Sequence, residues 1–135
     1  FFGTYMTALA ENEVLCEIHA PAFADGTGYA YEKLKRKTGD WATAGCAVVM
    51  RKDGDNISHI RITLTNVAPT ALRAHEAEAA LLGKSLDAAN IAAAAGAAAA
   101  ICDPAEDLRG DVEYKTAMAS EMVKRALKAA AARCA

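Results

Sequence analysis

Halfway along this chain the spacing of apolar residues changes, and that change constrains the fold more than any other feature. Before Pro69, Ile60, Ile62 and Leu64 alternate with Arg61, Thr63 and Thr65, the two-residue period of a half-buried strand. Near the end, Val112, Thr116, Ala119, Val123, Ala126 and Ala130 recur at steps of four and three, which is a helical stripe. Strands first and helices after is the signature of an α+β domain. The expected architecture is an antiparallel sheet of three or four strands, followed by a bundle of three helices that covers it.

The strand half is read from local patterns. Val14, Cys16 and Ile18 alternate with Leu15, Glu17 and His19, which predicts a half-buried strand ending at Pro21. Asp25, Gly26 and Gly28 predict a loop over 23–28, and a strand is expected over 29–37. The run Cys46, Ala47, Val48, Val49, Met50 suits a strand over 45–52 that is covered on both faces. Asp53-Gly54 is a tight-turn pair, so this strand and the one carrying Ile60, Ile62 and Leu64 should form a hairpin.

In the helical half, Thr70 can cap a helix running to about Leu82 and stopped by Gly83. Ser85 can cap a second helix, with Asp87 in its first turn. Its stretch 91–101 is almost all alanine around Gly96, and small residues on all sides predict packing on several sides. Asp103-Pro104 should end it. A third helix is expected from near Asp111, with Tyr114, Met118 and Met122 widening its stripe and Glu121 pairing with Arg125.

The 135 residues fit one domain, 1–135. Alanine supplies much of the 53% hydrophobic content and aromatics only 6%, so the core should be built from small side chains. A net charge of −2 offers no electrostatic case for nucleic acid or an anionic membrane as partner. No apolar run reaches the roughly 18–20 residues of a membrane helix, and no signal peptide is visible. The chain opens Phe1-Phe2 and not with methionine, so a processed chain or a piece of a longer one is expected. Cys16, Cys46, Cys102 and Cys134 form no CxxC pair and have no zinc-ligand spacing. They are expected to be free, mostly buried thiols in a reducing cytoplasm.

No self-sufficient catalytic motif is present: no GxSxG, no HExxH, no P-loop. His19, His59 and His75 lie far apart and read as surface or rim residues. Gly26-Thr27-Gly28 lacks a third glycine and leads into a strand, so it reads as a plain turn. Three segments stand out. Arg36-Lys37-Thr38-Gly39-Asp40-Trp41-Ala42 is either a charged loop with one aromatic on the core, or a loop facing a planar or anionic ligand. Asn66-Val67-Ala68-Pro69-Thr70 is either an ordinary strand-to-helix turn or a place where backbone N–H groups meet an electron-rich ligand edge. The polar connector from Asp103 through Asp107 and Arg109 to Asp111, followed by Glu113-Tyr114-Lys115, is either a solvated linker or a loop fastened by Asp107 and Arg109 to a neighbouring strand or subunit.

In this order, the segments resemble the C-terminal domain of the FAD-binding medium subunit of molybdenum hydroxylases, of the carbon monoxide dehydrogenase and xanthine dehydrogenase type. The opening Phe1-Phe2-Gly3-Thr4-Tyr5-Met6-Thr7-Ala8-Leu9 with Glu13-Val14-Leu15 looks like that family's entry into the domain. Gly39-Asp40-Trp41-Ala42 after Arg36 and Lys37 matches its basic-Gly-Asp-aromatic-Ala pattern. Val67-Ala68-Pro69-Thr70 with Arg73, Glu76 and Glu78 matches its VAPTPxRAxEAE stretch, with Ala71 in place of the second proline. Asp103-Pro104, Asp107, Arg109, Glu113, Tyr114 and Lys115 match its last signature.

The resemblance implies the CO dehydrogenase flavoprotein C-terminal domain fold and a part in an oxidoreductase complex. It implies FAD held mainly by an N-terminal part that this chain lacks. It further implies partner subunits carrying iron–sulfur clusters and molybdopterin, with electrons passing through the clusters to the flavin. Asp40, Trp41 and Arg36 would lie nearest the flavin, with Lys37, Ala68 and Pro69 behind them. The chain is not expected to be catalytic alone. The main alternative is a cofactor-free interaction module that forms a homodimer through its alanine-rich helices. A third reading is a small thiol enzyme using Cys46 or Cys102, weakened by the absence of a base or cation nearby in sequence.

Overall fold

The computed structural model describes residues 1–134, and its architecture grows from one hairpin. Asp53 and Gly54 fold the chain back, so β2 (Ala44–Asp53) pairs antiparallel with β3 (Asn56–Thr65). In this register Cys46, Val48 and Met50 sit opposite Leu64, Ile62 and Ile60, and all six side chains are buried. Ile57 is also buried although it lies three residues from Ile60, a spacing that a regular strand would send to opposite faces. The register shifts there: Arg51 pairs with His59 and Lys52 with Ile57, which leaves Ser58 as an extra residue. This β-bulge resets the phase and brings both isoleucines to the core.

The strand β1 (Gly28–Leu34) adds to the free side of β2, and the two-residue strand β4 (Leu72–Arg73) adds to β3. The sheet order is β1-β2-β3-β4, an antiparallel sheet of four strands as expected, although its fourth strand is β4 and not one before residue 28. Helices α1 (His75–Leu81), α2 (Ala88–Ala100) and α3 (Val112–Ala131) cover one face of it. The long helix lies across β1 and β2 and buries Ala119, Val123, Ala126 and Ala130. Four of the six stripe residues are therefore buried, while Thr116 is half-buried and Val112 is exposed. The approach is close: a Cβ on Gly28 would lie 2.1 Å from the Ala130 carbonyl oxygen, so only glycine fits there.

Several expectations need correction. The strand over 45–52 is buried on one face and half-buried on the other, because helices cover one side only. Thr70 does not cap a helix. The chain first makes β4, and α1 begins at His75 after Ala74 with no side-chain cap. Pairing of Thr63 with Arg73 wins over continued helix, and Gly83 (φ 76°) ends α1 as expected. The second helix is capped by Asp87 and not by Ser85: the Asp87 side chain accepts from the Asn90 N–H at 2.8 Å, and Ser85 hydrogen-bonds Asp87. α2 buries Ile91, Ala94, Ala95 and Ala98, whereas Ala92, Ala93 and Gly96 face outward, so it packs on one broad side between α1 and α3. Asp111 caps α3 through the Tyr114 N–H at 2.7 Å, and the Glu121–Arg125 pair forms at 2.8 Å.

The largest correction concerns the segment before β1. Val14, Cys16 and Ile18 form no strand. None of the first 27 residues is buried, with Val14 80% and Ile18 81% exposed. Alternation is present in the sequence, but among the described residues no strand pairs with the segment and no surface covers its apolar face. No helix among the described residues is long and apolar enough to cross a membrane.

Candidate functional site

Two of the three segments meet at the end of the sheet where β2 begins, and Asp40 joins them. The Asp40 side chain accepts from the Trp41 backbone N–H at 2.9 Å and from Arg36 Nε at 3.2 Å. It also accepts from Arg109 Nη2 at 3.3 Å, from a residue far along the chain. Burial pushes the Asp40 carboxyl up, but the Trp41 N–H and the Arg36 and Arg109 guanidiniums outweigh it and hold the group below its usual range. Lys33 Nζ donates to the Asp40 carbonyl at 3.0 Å, so β1 anchors the loop as well. Arg109 then lies over the indole of Trp41, 5.4 Å from the ring centre. The indole remains 72% exposed, so this aromatic belongs to the surface and not to the core. Arg109 Nε is buried and has no hydrogen-bond partner.

The turn after β3 is tied to the same loop. Asn66 sits at φ 60°, a left-handed conformation that asparagine tolerates, and its Nδ2 donates to Ala42 O at 2.6 Å and Thr43 O at 3.2 Å. Beside it, Ala68 and Pro69 line a cavity of about 470 Å³ together with Asp103, Asp107 and Lys115. The Asp103 N–H donates to Val67 O at 2.8 Å, which closes the connector onto the turn. Lys115 is only 2% exposed. Such a buried ammonium needs partners, and its Nζ lies 2.8 Å from Asp107 Oδ1 and 2.6 Å from Ala105 O. The hydrogen bond from Lys115, with that from the Arg109 N–H, holds the Asp107 carboxyl below its usual range.

A chain of contacts therefore runs Lys115–Asp107–Arg109–Asp40–Arg36, with Arg109 Nη1 3.6 Å from Asp107 Oδ2. Arg36, Asp40 and Trp41 come together directly. Ala68 and Pro69 line the adjoining cavity. Lys37 contributes its carbonyl to the turn, accepting from the Asp40 N–H at 3.2 Å, and its side chain is exposed. No helix N-terminus stands at Thr70, so that source of N–H donors is absent from the turn. Asp107 and Arg109 do fasten the connector, to Asp40 and Lys115. Asn66 and Lys115 were not singled out from sequence as site residues. A lysine one turn before the buried Ala119 was a signal, because a cation on an apolar stripe demands an acid.

The thiol reading gains no support at Cys46 or Cys102. Burial, with Glu32 nearby, pushes the Cys46 thiol up to about 12, and burial raises Cys102 as well, so neither is a ready thiolate. Nor are the cysteines mostly buried: Cys46 is, Cys102 and Cys134 are half-buried, and Cys16 is exposed.

The residues fit one wall of a flavin ring. An open indole backed by a guanidinium, and a buried Nε without an acceptor, are a planar surface and a hydrogen-bond donor. A pyrophosphate cradle of glycine-rich loop and helix start is not found among the described residues.

The carbon monoxide dehydrogenase medium chain of Hydrogenophaga pseudoflava is 72% identical over the whole chain, which covers 47% of that protein. A solved carbon monoxide dehydrogenase from the same organism, lacking the Mo-pyranopterin moiety of its molybdenum cofactor, superposes with a TM-score of 0.98 at 76% identity, covering 100% of this chain and 47% of that one. The reconstituted CO dehydrogenase from Oligotropha carboxidovorans gives 0.94 at 48% identity, covering 97% and 46%. The chain thus spans about half the length of these relatives. The sequence model described as the CO dehydrogenase flavoprotein C-terminal domain matches residues 29–130, nearly all of the packed part, and this chain belongs to that family.

Proposed function

We propose that this chain forms one wall of the FAD site in a medium-chain flavoprotein of a CO dehydrogenase-type molybdenum hydroxylase. It docks the iron–sulfur and molybdenum subunits so that electrons pass from the clusters to FAD. The observation that carries this reading is the junction at Asp40, which holds an exposed tryptophan and a cation at one sheet end. Trp41 offers a flat apolar face, and Arg109 packed over the ring holds it in place and puts a positive charge beside it. Arg36 and Asp40 shape the rim, and Lys37 adds an exposed charge beside them. Ala68 and Pro69 border the adjoining cavity without bulk. FAD, when bound, supplies the redox chemistry, and these residues orient its ring and exclude water from one side. Its pyrophosphate would be held by the other half of the flavoprotein.

The test is co-expression of this chain with the remainder of the flavoprotein, scoring bound FAD by absorbance and flavin fluorescence. Trp41→Ala should lower FAD retention about tenfold or more and brighten any flavin that remains, whereas Trp41→Phe should retain most of it. Unchanged retention and unchanged fluorescence in Trp41→Ala and Arg109→Ala would refute the wall.

A further inference from the structure

We infer that the outer face of the sheet carries a docking cleft for an acidic segment of a partner polypeptide, gripped by Arg51, His59 and Arg61. The inference rests on the reading that the chain works within a larger assembly, and not on the flavin wall. A cleft of about 510 Å³ opens on the sheet face that the helices leave bare. Its floor is Val49, Arg51, His59 and Arg61, and its side is the segment carrying Pro21 and Phe23. Phe23 is held there by stacking on Tyr29, ring centres 5.4 Å apart. The cleft lies at the far end of β2 from Trp41, roughly 20 Å away at about 3.3 Å per residue.

Charge decides what it fits. Arg51 stands directly across from His59, and Arg61 across from Val49, so three basic groups share neighbouring positions on one face. Like charges at such positions repel. No carboxylate lines the cleft. Among the described residues Arg51 makes no ion pair. Arg61 donates to the Ile60 carbonyl at 2.7 Å and lies 3.9 Å from Glu78, whose carboxylate Arg73 of β4 already takes at 2.9 Å. Burial, then Arg61, Arg51 and Arg73, hold the His59 ring below its ordinary value, against the pull of Glu78 from α1. A carboxylate seated between them would reverse that and draw a proton onto His59.

A carboxylate suits the cleft better than a phosphate. Phosphate sites draw on backbone N–H groups at helix starts or nests. Here the floor is paired strand, its N–H groups serve the ladder, and the donors it presents are the side chains of Arg51, His59 and Arg61. Arginine pairs with carboxylates through parallel N–H bonds, and an apolar surround with a charged grip is what protein interfaces present.

The test titrates the full chain with an acetylated, amidated tetraglutamate peptide, with inorganic phosphate and tetralysine as comparisons, reading the His59 ring signals by NMR. The peptide should bind at least tenfold more tightly than phosphate, and tetralysine should not bind. R51E/R61E should lower peptide affinity at least tenfold, with the circular dichroism spectrum unchanged and FAD retention in the reassembled flavoprotein intact. R51K/R61K should keep most of the affinity. Binding should tighten from about pH 8 to about pH 6, and H59Q should abolish that dependence. Phosphate binding as tight as the peptide, unchanged binding in R51E/R61E, or a second copy of the chain occupying the cleft would overturn the inference.

Discussion

Residues 1–27 and residues 28–134 are built from similar material and meet opposite fates. Val14, Cys16 and Ile18 alternate much as Ile60, Ile62 and Leu64 do, with Leu15 the one apolar residue out of phase, yet the first set is exposed and unpaired while the second is fully buried between the sheet and the helices. The difference teaches that a two-residue period is permission and not a structure. A strand needs a neighbour for its N–H and C=O groups and a cover for its apolar face. β3 has β2, β4 and α1, whereas the first segment has none of these. The boundary of the matched family domain at residue 29 falls at the same place.

The widest gap between the two regions should appear on truncating their apolar residues. Leu64→Ala should destabilise the chain by about 2–5 kcal/mol in urea unfolding, and Ile18→Ala by less than about 0.5 kcal/mol. Equal losses would break the comparison. At the seam, Gly28→Ala should cost about 1–3 kcal/mol, because its methyl meets the Ala130 carbonyl and must push α3 away. A melting temperature unmoved by that change would show that the helix is not held there.

Glu78 sharpens the contrast electrostatically. Its buried carboxylate accepts from the Ile62 N–H at 3.0 Å and from Arg73, tying α1 to the sheet. Burial pushes this carboxyl up, and the bonds from Arg73 and Ile62 outweigh it, so it ionises below its ordinary 4.5. A lowered folded-state value stabilises above that ordinary value and is lost as the pH falls through and below it. Unfolding midpoints should therefore drop in acid below about pH 4.5. Glu78→Gln should flatten that slope and cost roughly 1–3 kcal/mol at neutral pH. A slope that is the same in both proteins would remove Glu78 from the account. A smaller effect, about 1 kcal/mol, is expected for Asp111→Ala, which uncaps α3. Smallest of all, deleting residues 1–20 should leave the melting temperature nearly unchanged. A clear fall would show that the exposed segment supports the packed part.

The site divides in the same manner. Arg36, Asp40 and Trp41 were readable as a group because they lie within one loop, where a glycine, an acid and an aromatic are unusual company. That Arg109 would complete the group was not readable, since 69 positions separate it from Asp40. Lys115 was readable only as part of the connector's signature, and its partners Asp107 and Ala105 reach it only once the connector has folded onto it. The helix start at Thr70 was misjudged because the cap residue and the following pattern are local. The competing pairing of Arg73 with Thr63 comes from a strand already in place.

By itself the sequence determined that strands come before helices, the β2–β3 turn, the buried faces of β3 and α3, and a family resemblance, because each depends on spacing within one segment. Tertiary structure alone decided which alternating segment became a strand, where α1 began, and that distant charges would meet at Asp40. The physical reason is one: hydrogen bonds and burial across long separations exist only once the partner surface has arrived, and no local pattern records its arrival.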